Sequence, residues 1–169
     1  KLTKMRTQLL PQSLMYAKFS PDGKAVAYVS EHNIYREDIS NGEITKLTKD
    51  GTRKLINGTF DWVYEEEFAF VKAFDWSADS KKIAFIRFDE SEVPEFSMSV
   101  FQKELYPKVE TFKYPKAGEK NAVVSLHIYD VASQAKKDVN LGNYNDFYIA
   151  RMQWTNDANV LSAQILYRH

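Results

Sequence analysis

Phe19-Ser20-Pro21-Asp22-Gly23-Lys24 is echoed by Phe74-Asp75-Trp76-Ser77-Ala78-Asp79-Ser80-Lys81, and again by Met152-Gln153-Trp154-Thr155-Asn156-Asp157-Ala158-Asn159. The shared skeleton is an aromatic residue, a Ser or Thr, an Asp two positions on, and then an apolar strand. In the first copy, proline sets φ at one corner of a tight turn and glycine permits a positive φ at the other. Upstream of that turn Met15, Ala17 and Phe19 alternate with Tyr16 and Lys18, the period of a strand. Downstream, residues 25–29 form an apolar run, and Asn41-Gly42 joins residues 33–39 to residues 43–47 as a hairpin. Four short antiparallel strands in about 45 residues make one blade of a β-propeller, and ordered copies of such a unit indicate a radial or stacked architecture. The expectation is an all-β fold: antiparallel four-stranded blades of a partial, open propeller.

The second copy is stretched. Residues 83–88 read as its second strand and residues 126–131 as its third, with nearly the whole of 89–125 between them. A loop of that length in a compact β fold carries a function or its own structure. Residues 98–106 and 109–114, bounded by Pro94, Pro107 and Pro115, are expected to pair as a two-stranded protruding arm. The division is therefore a blade over 12–57, a helical segment over 58–70, a blade with the inserted arm over 71–143, and a partial blade over 147–169. Residues 161–167 read as a strand whose partners lie beyond His169, so the chain is expected to be an excerpt of a longer protein.

The helical segment contains Asp61-Trp62-Val63-Tyr64-Glu65-Glu66-Glu67-Phe68. Asp61 suits an N-cap and acidic residues suit the positive end of a helix, which predicts a short helix over 62–68. Side chains step by about 100° per residue, so three neighbouring glutamates cannot all face one point, but two adjacent ones can. Glu66 belongs to either pair. Two carboxylates supply too few ligands for a metal, and adjacent residues seldom straddle a scissile bond. An ammonium group, with three N–H donors and a positive charge, fits them well. A solvated acidic helix end is the plain alternative, and the aromatic neighbours Trp62, Tyr64, Phe68 and Phe70 argue for a helix packed in place.

The 23 basic and 23 acidic residues among 169 give no field for nucleic acid or an anionic membrane. No apolar run approaches the roughly 20 residues that span a bilayer. With no cysteine there is neither a disulfide framework nor a thiolate metal site. There is no Gly-x-Ser-x-Gly elbow and no phosphate-binding fingerprint. His32, His127 and His169 stand outside any metal-like spacing, so no metal and no cofactor is expected. Asn57-Gly58-Thr59 is a lone glycosylation triplet.

The run from Asp61 to Glu67 resembles the double-glutamate motif of the dipeptidyl peptidase IV family, serine exopeptidases that release dipeptides from free N-termini. The resemblance continues through Asp89-Glu90-Ser91-Glu92-Val93-Pro94, Tyr106-Pro107-Lys108 and Tyr114-Pro115-Lys116-Ala117-Gly118. It implies that Glu66 and Glu67 bind the substrate's amine, with Asp61, Trp62, Tyr64 and Glu65 in supporting roles. It also implies an eight-bladed propeller joined to an α/β-hydrolase domain holding the serine, aspartate and histidine, none of which is transferable to this chain. Proline or alanine as the second substrate residue, homodimerisation through the arm beginning at Pro94 and ending at Gly118, and an extracytoplasmic location (bacterial periplasm, cell surface or secreted) follow from the resemblance alone. The alternative, a non-catalytic propeller scaffold for protein interaction, accounts for the repeats but not for the glutamate run together with the Tyr-Pro-Lys motifs.

Overall fold

The computed structural model describes residues 14–70, 72–103, 105–142 and 146–168. The start of the expected first blade, the Glu104 position of the arm and His169 lie outside the described residues. The first sheet is a four-stranded antiparallel meander of β1 (Met15–Phe19), β2 (Ala25–Ser30), β3 (Asn33–Asp38) and β4 (Ile44–Lys46). After it come β5 (Leu55–Asn57), α1 (Trp62–Phe68), β6 (Phe74–Trp76) and β7 (Lys82–Asp89). The chain continues through β8 (Glu95–Val100), β9 (Lys108–Lys113), β10 (Val123–Asp130) and β11 (Lys136–Asp138), and ends on β12 (Phe147–Trp154) and β13 (Leu161–Tyr167).

The second sheet runs β11-β10-β7, and one edge of β7 is shared between two short strands. Trp76 of β6 stands opposite Ile83, whereas Ile56 of β5 stands opposite Phe88. Two expected boundaries therefore change. Residues 55–57 do not close the first blade but open the second, because Leu55, Ile56 and Asn57 pair with β7. The segment around α1 is no separate unit either; it is an insertion that interrupts the first strand row of the second blade.

The repeated turn explains itself in hydrogen bonds. Ser20 Oγ donates to Asp22 Oδ1 at 2.6 Å and accepts from the Ala25 N–H at 3.0 Å. Ser77 repeats this with Asp79 at 2.6 Å and Lys82 at 2.9 Å. Gly23 and Ser80 occupy equivalent corners with φ of 71° and 62°. The aromatic of the repeat serves the neighbouring blade: the Trp76 indole donates to the Lys18 carbonyl at 3.2 Å, and the Trp154 indole donates to the Asp75 carbonyl at 3.1 Å. Lys18 and Asp75 hold the same place, one residue before the repeat's aromatic, and they also pair with each other by charge.

Buried apolar residues fill the spaces between sheets. On β7 the alternation of side chains sends Ile83 and Phe85 toward the first sheet, where Ala27, Val29 and Ile34 wait. Ile86 and Phe88 face the opposite way, toward α1 and Ile149 of β12. A strand covered on both faces has to be apolar at nearly every position, which is why Ile83-Ala84-Phe85-Ile86 is continuous. The arm is a two-stranded sheet of β8 and β9, in register from Glu95 opposite Lys113 to Val100 opposite Lys108. It starts earlier than the expected 98–106 because each strand begins directly after a proline, Pro94 or Pro107, whose missing N–H ends pairing there.

Candidate functional site

The site is built at the base of the insertion. The Gly58 N–H donates to the Ile86 carbonyl at 3.1 Å, and the Ile86 N–H donates to the Ala73 carbonyl at 2.8 Å. One residue of β7 thus holds both ends of the excursion. Gly58 has φ of 74°, and a Cβ there would stand 2.7 Å from Ile34 Cγ1. Only glycine passes this neck without strain. The adjoining Asn57 is buried, its amide donating to Asp50 at 3.1 Å, so the glycosylation triplet is shut inside the folded chain.

The helix forms where the sequence indicates. Asp61 is its N-cap, with Oδ1 accepting the Tyr64 N–H at 3.0 Å. Ala69 ends it in the left-handed conformation, and its N–H donates to the Tyr64 carbonyl. A seven-residue helix is not stable alone, so its position comes from packing. Tyr64 is fully buried; its ring meets Phe88 edge-on at 4.8 Å, and its hydroxyl accepts the Ile149 N–H from β12 at 2.8 Å. Burial raises the Tyr64 pKa, so it stays a neutral phenol. Trp62 packs against Tyr114 of the Tyr-Pro-Lys segment at 4.2 Å. Arg151 of β12 donates to the Phe68 carbonyl at 3.1 Å, capping the helix's negative end from another strand. Arg151 thus supports the helix from a strand outside it.

On this fixed rod Glu65, Glu66 and Glu67 are all exposed. Among the described residues none of their carboxylates has a hydrogen-bond or ion-pair partner. Glu66 lies about 200° round the helix from the buried Tyr64, so it points away from the core. Glu66 and Glu67 sit in the final turn, which carries no basic residue of its own. A helix end of that polarity disfavours carboxylates, and two adjacent ones repel each other. The arrangement is thus primed for a cation. Glu65, expected to serve structure, makes none of the bonds that role would use; it lines a cleft of about 760 Å³ beside Asp61 and Trp62.

That cleft holds a second feature absent from the sequence reading. Glu90 is buried, and burial reinforced by the neighbouring Asp61 pushes its pKa up to about 7, against the opposing pull of Lys113. Burial likewise pushes Asp61 up to about 6, countered by the N–H groups it caps. Two buried carboxyls in one cleft could have been suspected from neither motif alone, since α1, β6 and β7 separate them in the sequence.

His127 is buried on β10, with Nδ1 2.7 Å from Asp138 Oδ1 and Nε2 2.8 Å from Ser125 Oγ. The order Ser-His-Asp suggests a nucleophile, but all three lie on paired strands, and none of them lines the cleft beside α1 or the cleft at Arg168. The chain of bonds fastens β11 to the sheet. Among the described residues no group of three or more His, Asp or Glu side chains stands close enough to hold a metal, and no helix is long and apolar enough to cross a membrane.

Comparison with known proteins matches the whole chain, residues 1–169, to the family described as the dipeptidyl peptidase IV N-terminal region. A Talaromyces stipitatus protein described as "Probable dipeptidyl-aminopeptidase B" is 37% identical over 163 residues, covering 88% of this chain and 18% of that protein. Its Chaetomium globosum namesake is 42% identical over 130 residues, 70% of this chain and 14% of the relative. The crystal structure of Porphyromonas gingivalis dipeptidyl peptidase 4 superposes with a TM-score of 0.87 at 45% identity, covering 92% of this chain and 22% of that one. The chain therefore spans about a fifth of the length of such relatives.

Proposed function

The chain belongs to the family of the dipeptidyl peptidase IV N-terminal region, and from that premise we propose that Glu66 and Glu67 bind the free amino group of a peptide substrate. The observation that carries the reading is the run of carboxylates without counter-charge on a helix held at both ends and through its core face. An α-ammonium supplies the charge and the donors that these acceptors lack. Because the anchor is rigid, it acts as a ruler: only two residues fit between it and a nucleophile, so dipeptides are released. The nucleophile, its histidine and aspartate, and the pocket that accepts proline or alanine as the second residue are assigned to an α/β-hydrolase domain elsewhere in the full-length protein. The β8–β9 arm is assigned to homodimer contact, since Phe101, Leu105 and Tyr106 at its tip are each at least 77% exposed. An extracytoplasmic location is assigned on the family likeness alone.

Replacing a carboxylate by an amide keeps its shape and removes its charge. One charge-assisted hydrogen bond is worth about 1.5–3 kcal/mol, roughly tenfold to a hundredfold in binding. Glu66→Gln and Glu67→Gln in the full-length protein are each expected to lower kcat/KM for a Gly-Pro chromogenic amide at least tenfold, while Glu65→Gln leaves it nearly unchanged. Equal damage from Glu65→Gln and Glu67→Gln in folded protein would move the pair to Glu65 and Glu66.

A further inference from the structure

We propose that the cleft between α1, the loop at Glu90 and the base of the β8–β9 arm is a binding site for a guanidinium group, separate from the Glu66 and Glu67 pair. Glu90 is only 6% exposed, yet its carboxyl has no hydrogen-bond partner among the described residues. A buried carboxyl without a partner costs free energy that a fitting donor recovers. Glu90 lines the cleft, and Asp61 and Glu65 line it too, while Glu66 and Glu67 do not.

Arg53, Lys54 and Lys113 line the cleft, and none of them hydrogen-bonds or ion-pairs with the Glu90 carboxyl among the described residues; exposed Lys54 meets Glu90 only through its backbone carbonyl, which accepts the Glu90 N–H at 2.7 Å. Lys113 donates to the Val93 carbonyl at 2.8 Å and pairs with Glu95 at 3.5 Å, so its charge is committed to the arm. Arg53 is exposed at the rim, where its charge bears on His32. His32 is itself held below its ordinary pKa, first by burial and then by Arg53, and adds no charge near neutrality. Tyr16 is held as a neutral phenol by burial and by Glu65.

The walls select the kind of cation. Phe60, Trp62 and Phe112 line the same cleft as Asp61, Glu65, Glu90 and the Lys113-paired Glu95. A flat, delocalised guanidinium stacks on aromatic faces and bonds carboxylates through two parallel N–H groups, whereas a compact, strongly hydrated ammonium does neither as well. The chemistry is the same whether the group belongs to a free small molecule or to an arginine side chain.

Calorimetric titration of the full-length protein separates the sources. One arm uses methylguanidinium, the other an N-acetylated arginine peptide amide, whose blocked amine cannot use Glu66 and Glu67. Millimolar or tighter binding is expected for methylguanidinium, strengthening from pH 6 to pH 8 as Glu90 loses its proton, and methylammonium should bind more weakly. Tighter binding of the peptide assigns the site to an arginine side chain; equal or weaker binding assigns it to a small molecule. Glu90→Gln, with its fold checked by circular dichroism, should weaken either probe at least about tenfold and leave only the shallower pH dependence that Asp61, at about 6, contributes. No binding of either probe, equal binding of methylammonium, or unchanged affinity in folded Glu90→Gln would overturn the proposal. Loss of dipeptide release in the glutamate-pair variants with binding here intact would show the two sites to be independent.

Discussion

A carboxylate is comfortable in water or beside a cation, and the three residue sites of interest differ in which of these they have. Glu66 and Glu67 have water but no cation, at the wrong end of a helix. Glu90 is nearly cut off from water and feels Lys113 only as a charge, without a hydrogen bond among the described residues, and Asp61 has only the N–H groups that it caps. The cap at Asp61 and the helix limits were legible in the sequence because they obey local rules. The burial of Glu90 was not, because it arises where a loop after β7 closes on a helix almost thirty positions earlier. Its protonation leaves a measurable trace. In the folded chain Glu90 sits at about 7 against an ordinary 4.5, and Asp61 at about 6 against 3.8. The folded state therefore holds these protons longer than the unfolded state, so their contribution is full below the ordinary values and is lost as pH rises through 6 to 7. His127 runs the other way: burial holds its pKa below 6.5, so its contribution is present above that value and fades as pH falls. Urea midpoints of Glu90→Gln and the parent protein should be closest near pH 4.5 and diverge toward pH 7.5, with the amide variant the more stable at the upper end.

At the scale of elements, the informative departure is the split strand row. Residues 55–57 looked like the end of one blade because they follow its hairpin in sequence. They start the next blade because β7 is long enough to pair with both β5 and β6. Sequence periodicity does not report which sheet a three-residue strand joins, since so short a run has no pattern to read. The neck that results depends on Gly58. Gly58→Ala would place a methyl against Ile34 and Val29 in a backbone conformation that alanine resists. Overpacking of this kind costs about 1–3 kcal/mol. The expected outcome is a lower urea midpoint and, because the neck positions α1, a raised KM for free-amine peptides in the full-length protein. A Gly58→Ala variant with unchanged stability and KM would mean that the neck is looser than its contacts imply.

At the scale of the whole molecule, repetition did most of the work. Three copies of one turn were enough to read a partial propeller, and the indole bonds of Trp76 and Trp154 show why the aromatic recurs: it ties each sheet to the one before. The arm was legible as an interruption of that rhythm, with its strand limits set by Pro94 and Pro107. Its tip residues, Phe101, Leu105 and Tyr106, have no covering surface among the described residues. Leu105→Asp with Phe101→Asp should shift the full-length protein from dimer to monomer in light scattering, without changing the fold seen by circular dichroism. The central claim, that Glu66 and Glu67 bind a substrate's free amine, is tested most directly by kcat/KM for a Gly-Pro chromogenic amide against its N-acetylated twin. The full-length protein should prefer the free amine by at least a hundredfold, two charge-assisted bonds at roughly tenfold each, and the Glu66→Gln, Glu67→Gln double variant should lose most of that preference. A double variant that stays folded and keeps the parent's ratio would contradict it.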